Sequence, residues 1–182
     1  MKTNPYDALP QVSTFTVTST DVKDGQPLAS DQRSGIFGAG GKDISPQLAW
    51  TGFPPGTKSF AVTMYDPDAP TASGFWHWAV VGLPATTTSL VTDAGAEGGE
   101  QLPKGAFQLP NEARLKRFLG AAPPPGHGPH RYFIVVHALD VETLDIGKEA
   151  TPATLGFQMF GHTLARGMIV PTSETPAKQR AT

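Results

Sequence analysis

The chain has 182 residues, with 14 basic and 16 acidic side chains, five histidines and no cysteine. That length suits a single domain, 1–182, with a core from about residue 12 to about 170; the well-mixed charges leave no basic footprint for nucleic acid, and the missing thiols exclude disulfides and cysteine-ligated metal. No stretch approaches the ~20 apolar residues that span a bilayer, and no basic region followed by an apolar run opens the chain, so the expectation is a soluble, cytoplasmic protein without a transmembrane segment.

Glycine (20) and proline (18) punctuate strand-like runs without forming a low-complexity tract, the pattern of a turn-rich β protein. Residues 12–20 are β-branched and alternate, with Phe15 and Val17 on one face, and Asp24-Gly25 marks a turn. A glycine-rich stretch, 34–47, leads through Ser45-Pro46 to a short strand at Leu48-Ala49-Trp50. Ser59 to Tyr65 then sets Phe60, Val62 and Met64 against Ala61, Thr63 and Tyr65, and Asp66 continues the Met64 face. Trp76 to Leu83 is nearly continuous apolar sequence, as in a central strand covered on both sides, and strict alternation places His77 with Ala79 and Val81, opposite Trp76 and Trp78.

Residues 84–122 read as loop, with a short helix predicted over Asn111 to Leu119 and capped by Asn111. Arg131 to Leu139 is the strongest strand, with His130, Tyr132, Ile134 and Val136 on one face and His137 on the other. Thr151 as a cap, Pro152 at the first helical position and a stripe of Phe157, Phe160, Leu164 and Met168 predict a C-terminal helix. The N-terminal arm and the polar tail after Pro171 are expected to be less ordered.

Between the strands ending at Tyr65 and beginning at Trp76 runs Asp66-Pro67-Asp68-Ala69-Pro70, whose prolines leave the two acids few conformations to lose on folding; Ala69-Pro70 is open to either isomer. Taken singly, Asp66 and Asp68 read as turn carboxylates, His77 as a core histidine and His130 as a loop brace. Taken together, two acids and two histidines fall at predicted strand ends, where Phe75, Trp76 and Tyr132 would wall a small polar cleft. Three uses present themselves. Two histidines and a carboxylate suit a divalent metal, but no His-Glu-x-x-His or comparable spacing supports one. An Asp/His pair acting on water would make a hydrolase of small phosphoesters, although no Gly-x-Ser-x-Gly elbow or cysteine supplies a nucleophile. Imidazoles with backbone N–H groups suit an anion or zwitterion, the carboxylates then supporting the imidazolium or meeting an ammonium group.

At these residues the sequence resembles the phosphatidylethanolamine-binding protein (PEBP) family, also called Raf kinase inhibitor-like proteins, and most of all its bacterial branch. The resemblance runs from Phe15 to Val170 and rests on Asp24-Gly25, Asp43-Ile44-Ser45-Pro46-Gln47-Leu48-Ala49-Trp50, Lys58-Ser59-Phe60-Ala61-Val62, Asp66-Pro67-Asp68-Ala69-Pro70, Trp76-His77-Trp78 and Gly126 through Pro129-His130-Arg131-Tyr132. It implies a mainly β fold, with a large central antiparallel sheet packed on a smaller sheet and with peripheral and C-terminal helices. It also implies an anion pocket made by Asp66, Asp68, Pro70, His77, His130 and Tyr132, an aromatic wall near Phe75 or Trp76, and a backbone amide just before Pro123, at Ala122. Ala122 stands where many relatives have glycine. The occupants implied are phosphorylated head groups, such as phosphoethanolamine, or carboxylates; the partners implied are a kinase or serine protease inhibited by binding, and a homodimer. Neither a cofactor, nor a metal, nor a common catalytic activity is implied.

Overall fold

Apolar side chains on both faces set the central strands of the computed structural model, which describes residues 3–177. In chain order the strands are β1 (Ser13–Thr14), β2 (Thr16–Thr18), β3 (Leu48–Thr51), β4 (Ser59–Asp66), β5 (Phe75–Pro84), β6 (Ser89–Leu90), β7 (Phe107–Gln108), β8 (His130–Arg131) and β9 (Phe133–Leu139), then, after helix α1 (Pro152–Met159), β10 (Thr163–Ile169) and β11 (Thr172–Ser173). A six-stranded sheet has the order β1-β10-β9-β4-β5-β7, a three-stranded sheet the order β2-β3-β6, and β11 pairs with β8. The large sheet is mixed and not purely antiparallel, because β1 runs parallel to β10.

Phe60, Val62 and Met64 of β4 bury one face of the large sheet against Leu48 and Trp50 of β3, together with Trp78, Ile134 and Val136. Fully burying a side chain of this size contributes roughly 2 kcal/mol, so this layer holds the two sheets together. The opposite face, through Ala61, Ala79, Val81 and Leu139, takes Leu155 and Met159 of α1. Among the described residues no helix is long and apolar enough to cross a membrane.

The structure corrects several expectations. Met64 pairs with Trp78 and the next residue, Tyr65, with Trp76, so His77 is the extra residue of a β-bulge. The outer end of β5 is thereby inverted in phase: Phe75 pairs with Asp66, and Trp76 stacks on Tyr65 on the α1 side, with ring centroids 4.3 Å apart. The predicted helix over Asn111–Leu119 is absent; Arg114 has φ +64°, and the Asn111 side-chain Oδ1 caps a tight turn by accepting from the Ala113 and Leu115 N–H groups. The C-terminal helix ends at Met159, and Leu164 and Met168 belong to β10. Its start is as expected, the Thr151 hydroxyl accepting from Thr154 N–H with Pro152 in the first turn. The strand over 131–139 is interrupted at Tyr132, whose N–H donates to Pro171 O, and Thr172–Ser173 of the tail pairs with β8. Residues 178–182 lie outside the described residues. No cis peptide bond occurs among those described, so Ala69-Pro70 is trans.

Candidate functional site

Asp66 ends β4 and is buried, with each oxygen committed to N–H donors. Its Oδ1 accepts from the backbone N–H of Asp68 (2.8 Å) and of Ala69 (3.1 Å), an arrangement that the rigid Asp-Pro-Asp-Ala-Pro turn fixes, and its Oδ2 lies 2.7 Å from His130 Nδ1. A carboxylate accepts, so His130 Nδ1 carries the proton in this bond, and Nε2 points the other way, 2.7 Å from His127 Nδ1. His77 is anchored in the same manner: Nδ1 donates to Leu119 O at 2.8 Å, leaving Nε2 as its remaining polar atom. Burial pushes the His77 imidazole below its ordinary pKa, partly offset by the Leu119 hydrogen bond and the charge of Asp66.

These groups line a cavity of about 240 Å³, together with Phe37, Phe75, Pro70, Thr71 and the Ala122-Pro123-Pro124 segment. Phe37 and Phe75 meet edge to face at its rim, with centroids 6.5 Å apart. The loops on this side are held by Asp43, a buried residue with φ +57° whose Oδ2 accepts from the N–H groups of Gly35 and Ile36 while Oδ1 accepts from Gly120 N–H at 2.7 Å. Gly120 has to be glycine, because a Cβ there would sit 2.3 Å from the Arg33 carbonyl carbon. The next residues bring Ala122, whose N–H makes no hydrogen bond to another described residue, to the cavity wall.

Of the nine residues singled out from the sequence, Asp66, Pro70, Phe75, His77, Ala122 and His130 line this cavity. Asp68 does not: its carboxylate clasps Arg131, accepting from Nε (2.9 Å), Nη2 (3.0 Å) and the backbone N–H (2.9 Å). Tyr132 lies buried beneath the cavity, its ring 5.2 Å from that of His77 and perpendicular to it, and burial together with the charge of Asp66 pushes its phenol far up. Trp76 is displaced to the opposite face by the bulge. Sequence reasoning missed His127 and Phe37; a second histidine three positions before His130 in Gly126-His127-Gly128-Pro129-His130 was the available signal for the first.

Comparison with known proteins agrees with this architecture. A family model described as phosphatidylethanolamine-binding protein matches residues 18–174. UPF0098 protein YbcL of Escherichia coli (strain K12) is 44% identical over 164 residues, covering 90% of this chain and 90% of that protein. The crystal structure of YbcL, described as a new member of the mammalian PEBP family, matches with a TM-score of 0.86 over 89% of this chain and 99% of that one. UPF0098 protein YbhB of the same organism is 46% identical over 151 residues, covering 83% of this chain and 94% of that protein. The carboxypeptidase Y inhibitor, solved in complex with its cognate proteinase, is 17% identical with a TM-score of 0.51 over 90% of this chain and 84% of that one, and shares the fold alone.

Proposed function

The chain belongs to the phosphatidylethanolamine-binding protein family, and from that premise we propose that it is a binding module whose cavity beside Asp66, His77 and His130 takes a small phosphate-bearing or carboxylate head group. The observation that carries the reading is the fixing of both imidazoles at Nδ1, His130 by Asp66 and His77 by Leu119, so that Nε2 is the remaining polar atom of each, that of His130 meeting His127 Nδ1, which an anion would displace. An anion oxygen would accept from these nitrogens in their protonated form and from the Ala122 N–H, and charge-assisted bonds of this kind are roughly twice as strong as neutral ones. At about 240 Å³ the cavity is below the roughly 300–1,000 Å³ of drug-sized sites, which restricts the occupant to a head group.

Binding, and not turnover, suits the chemistry better. Asp66 already accepts from three N–H donors, and the Thr71 hydroxyl of the lining donates to Gly74 O, so neither is poised as base or nucleophile. Exposed Phe37 of the cavity lining and its exposed neighbour Ile36 would be the surface through which a kinase- or protease-type partner senses occupancy. Isothermal titration with O-phosphorylethanolamine and with acetate tests the reading. Each is expected to bind one-to-one, with loss of binding in His77→Ala and in His130→Ala; affinity unchanged in both variants overturns the site. Turnover of a phosphoester panel that disappears with Asp66→Asn would replace it by the hydrolase.

A further inference from the structure

A larger cavity, about 580 Å³, opens on the opposite face of the central sheet, between α1 and the 3₁₀ turn Pro5–Ala8. Its volume falls within the roughly 300–1,000 Å³ of small-molecule sites, and its walls are apolar: Tyr65 and stacked Trp76 from the sheet, Ala153 and Gly156 from α1. Phe157 and Phe160 stand at its edge, 80% and 65% exposed, an arrangement that water disfavours and that an apolar occupant would relieve.

At the inner end the chemistry changes. Arg166 reaches into the cavity from β10 and has no carboxylate within salt-bridge distance among the described residues. Its Nη1 donates to Pro10 O at a long 3.3 Å, its guanidinium lies 5.7 Å from the centre of the Tyr6 ring, and its buried Nε has no acceptor. Two further buried polar atoms are unpartnered in the same place, the Tyr6 hydroxyl and His137 Nδ1, while His137 Nε2 is spent on the Thr63 hydroxyl at 2.9 Å. Arg166 is half-buried, so its guanidinium loses part of its hydration without gaining a counter-ion, and the orphaned polar atoms beside it add to the cost.

We infer that this cavity is a second ligand site, for a small amphiphilic monocarboxylate whose head group meets Arg166 and Tyr6 and whose apolar body lies along Trp76 and α1. A carboxylate matches the planar fork of one arginine, and no lysine or second arginine lines the cavity to balance a dianionic phosphate. The inference stands apart from the head-group cavity, which lies across the sheet and shares none of these residues.

Calorimetric titration of the full chain with decanoate and with decanol tests it. Decanoate is expected to bind one-to-one and more tightly than decanol, and Arg166→Gln to weaken decanoate by about tenfold or more, the scale of a lost charge-assisted hydrogen bond, with little change for decanol. Gly156→Leu provides a second variant that should fold normally. A Cβ at Gly156 meets nothing within 4 Å, and leucine is the better helix former, so the variant should keep its thermal midpoint while its side chain plugs the cavity and abolishes decanoate binding. Failure of decanoate to bind at millimolar concentration, equal affinities for acid and alcohol, or retained binding in Gly156→Leu overturns the proposal. So does light scattering that finds a dimer which Gly156→Leu splits, because the face would then be a subunit interface.

Discussion

Asp68 holds Arg131 through both carboxylate oxygens, Oδ2 to Nε at 2.9 Å and Oδ1 to Nη2 at 3.0 Å, and so ties the Asp-Pro-Asp-Ala-Pro turn to the residue that follows His130. Asp68→Ala would leave the partly buried guanidinium and the Arg131 N–H without this acceptor. A loss of about 2 kcal/mol is expected, less than for a fully buried pair because Arg131 retains some exposure. Urea unfolding measures it. Affinity for O-phosphorylethanolamine should fall less than in His130→Ala, since Asp68 does not line the cavity.

His127 shields His130 Nε2, the nitrogen that the proposed anion needs. Replacing it by alanine removes a competing internal partner, so His127→Ala is expected to bind acetate and O-phosphorylethanolamine about threefold more tightly, the scale of a modest net hydrogen bond. Titration calorimetry reads this directly, and a large loss would instead make His127 part of the receptor.

Burial holds His77 below its ordinary pKa, so the imidazole is neutral in the empty protein at neutral pH. An anion at Nε2 favours the charged form and raises that pKa, which means binding takes up a proton and affinity rises as pH falls toward the depressed pKa. The charges of Asp66 and His130, which line the same cavity, move the midpoint without changing the sign, and His127 reaches it only through His130. Titrations in two buffers of different ionisation enthalpy should give different apparent heats, and the difference should shrink in His77→Gln.

His137 is buried against Thr63, and desolvation lowers its pKa to about 3, with the positive charge of Arg166 adding to the effect. Below the unfolded value of 6.5 the unfolded chain binds a proton that the folded chain refuses, so stability falls as pH drops from about 6.5 toward about 3. At about pH 5 the loss from this one group is about 2 kcal/mol. Urea midpoints measured at neutral pH and near pH 5 should differ less in His137→Gln than in the natural chain.

How far the molecule could be read in advance depended on whether local pattern or tertiary pairing decided each element. β4 and β9 were legible because their alternation is uninterrupted and both faces are buried. β10 was mistaken for helix because Leu164 and Met168 extend the three-and-four spacing of Phe157 and Phe160, while Thr163–Ile169 alternates equally well; pairing with β9 decides between the two. Asp66, His77 and His130 converge as their motif suggested, whereas Asp68 was diverted by Arg131, a partner 63 residues away that nothing local announces. Trp76 was misplaced because a bulge is a property of two strands in register, which one strand's sequence does not contain.

That single surplus residue has a consequence for how the protein can change. Substitutions along Phe75-Trp76-His77 alter one chamber at a time, since neighbours there serve opposite sides of the sheet. Deleting the extra residue, His77, would restore the beat of the strand without moving its neighbours: Trp76 would keep its place beside Tyr65 and Phe75 its place beside Asp66, and the head-group cavity alone would lose a side chain.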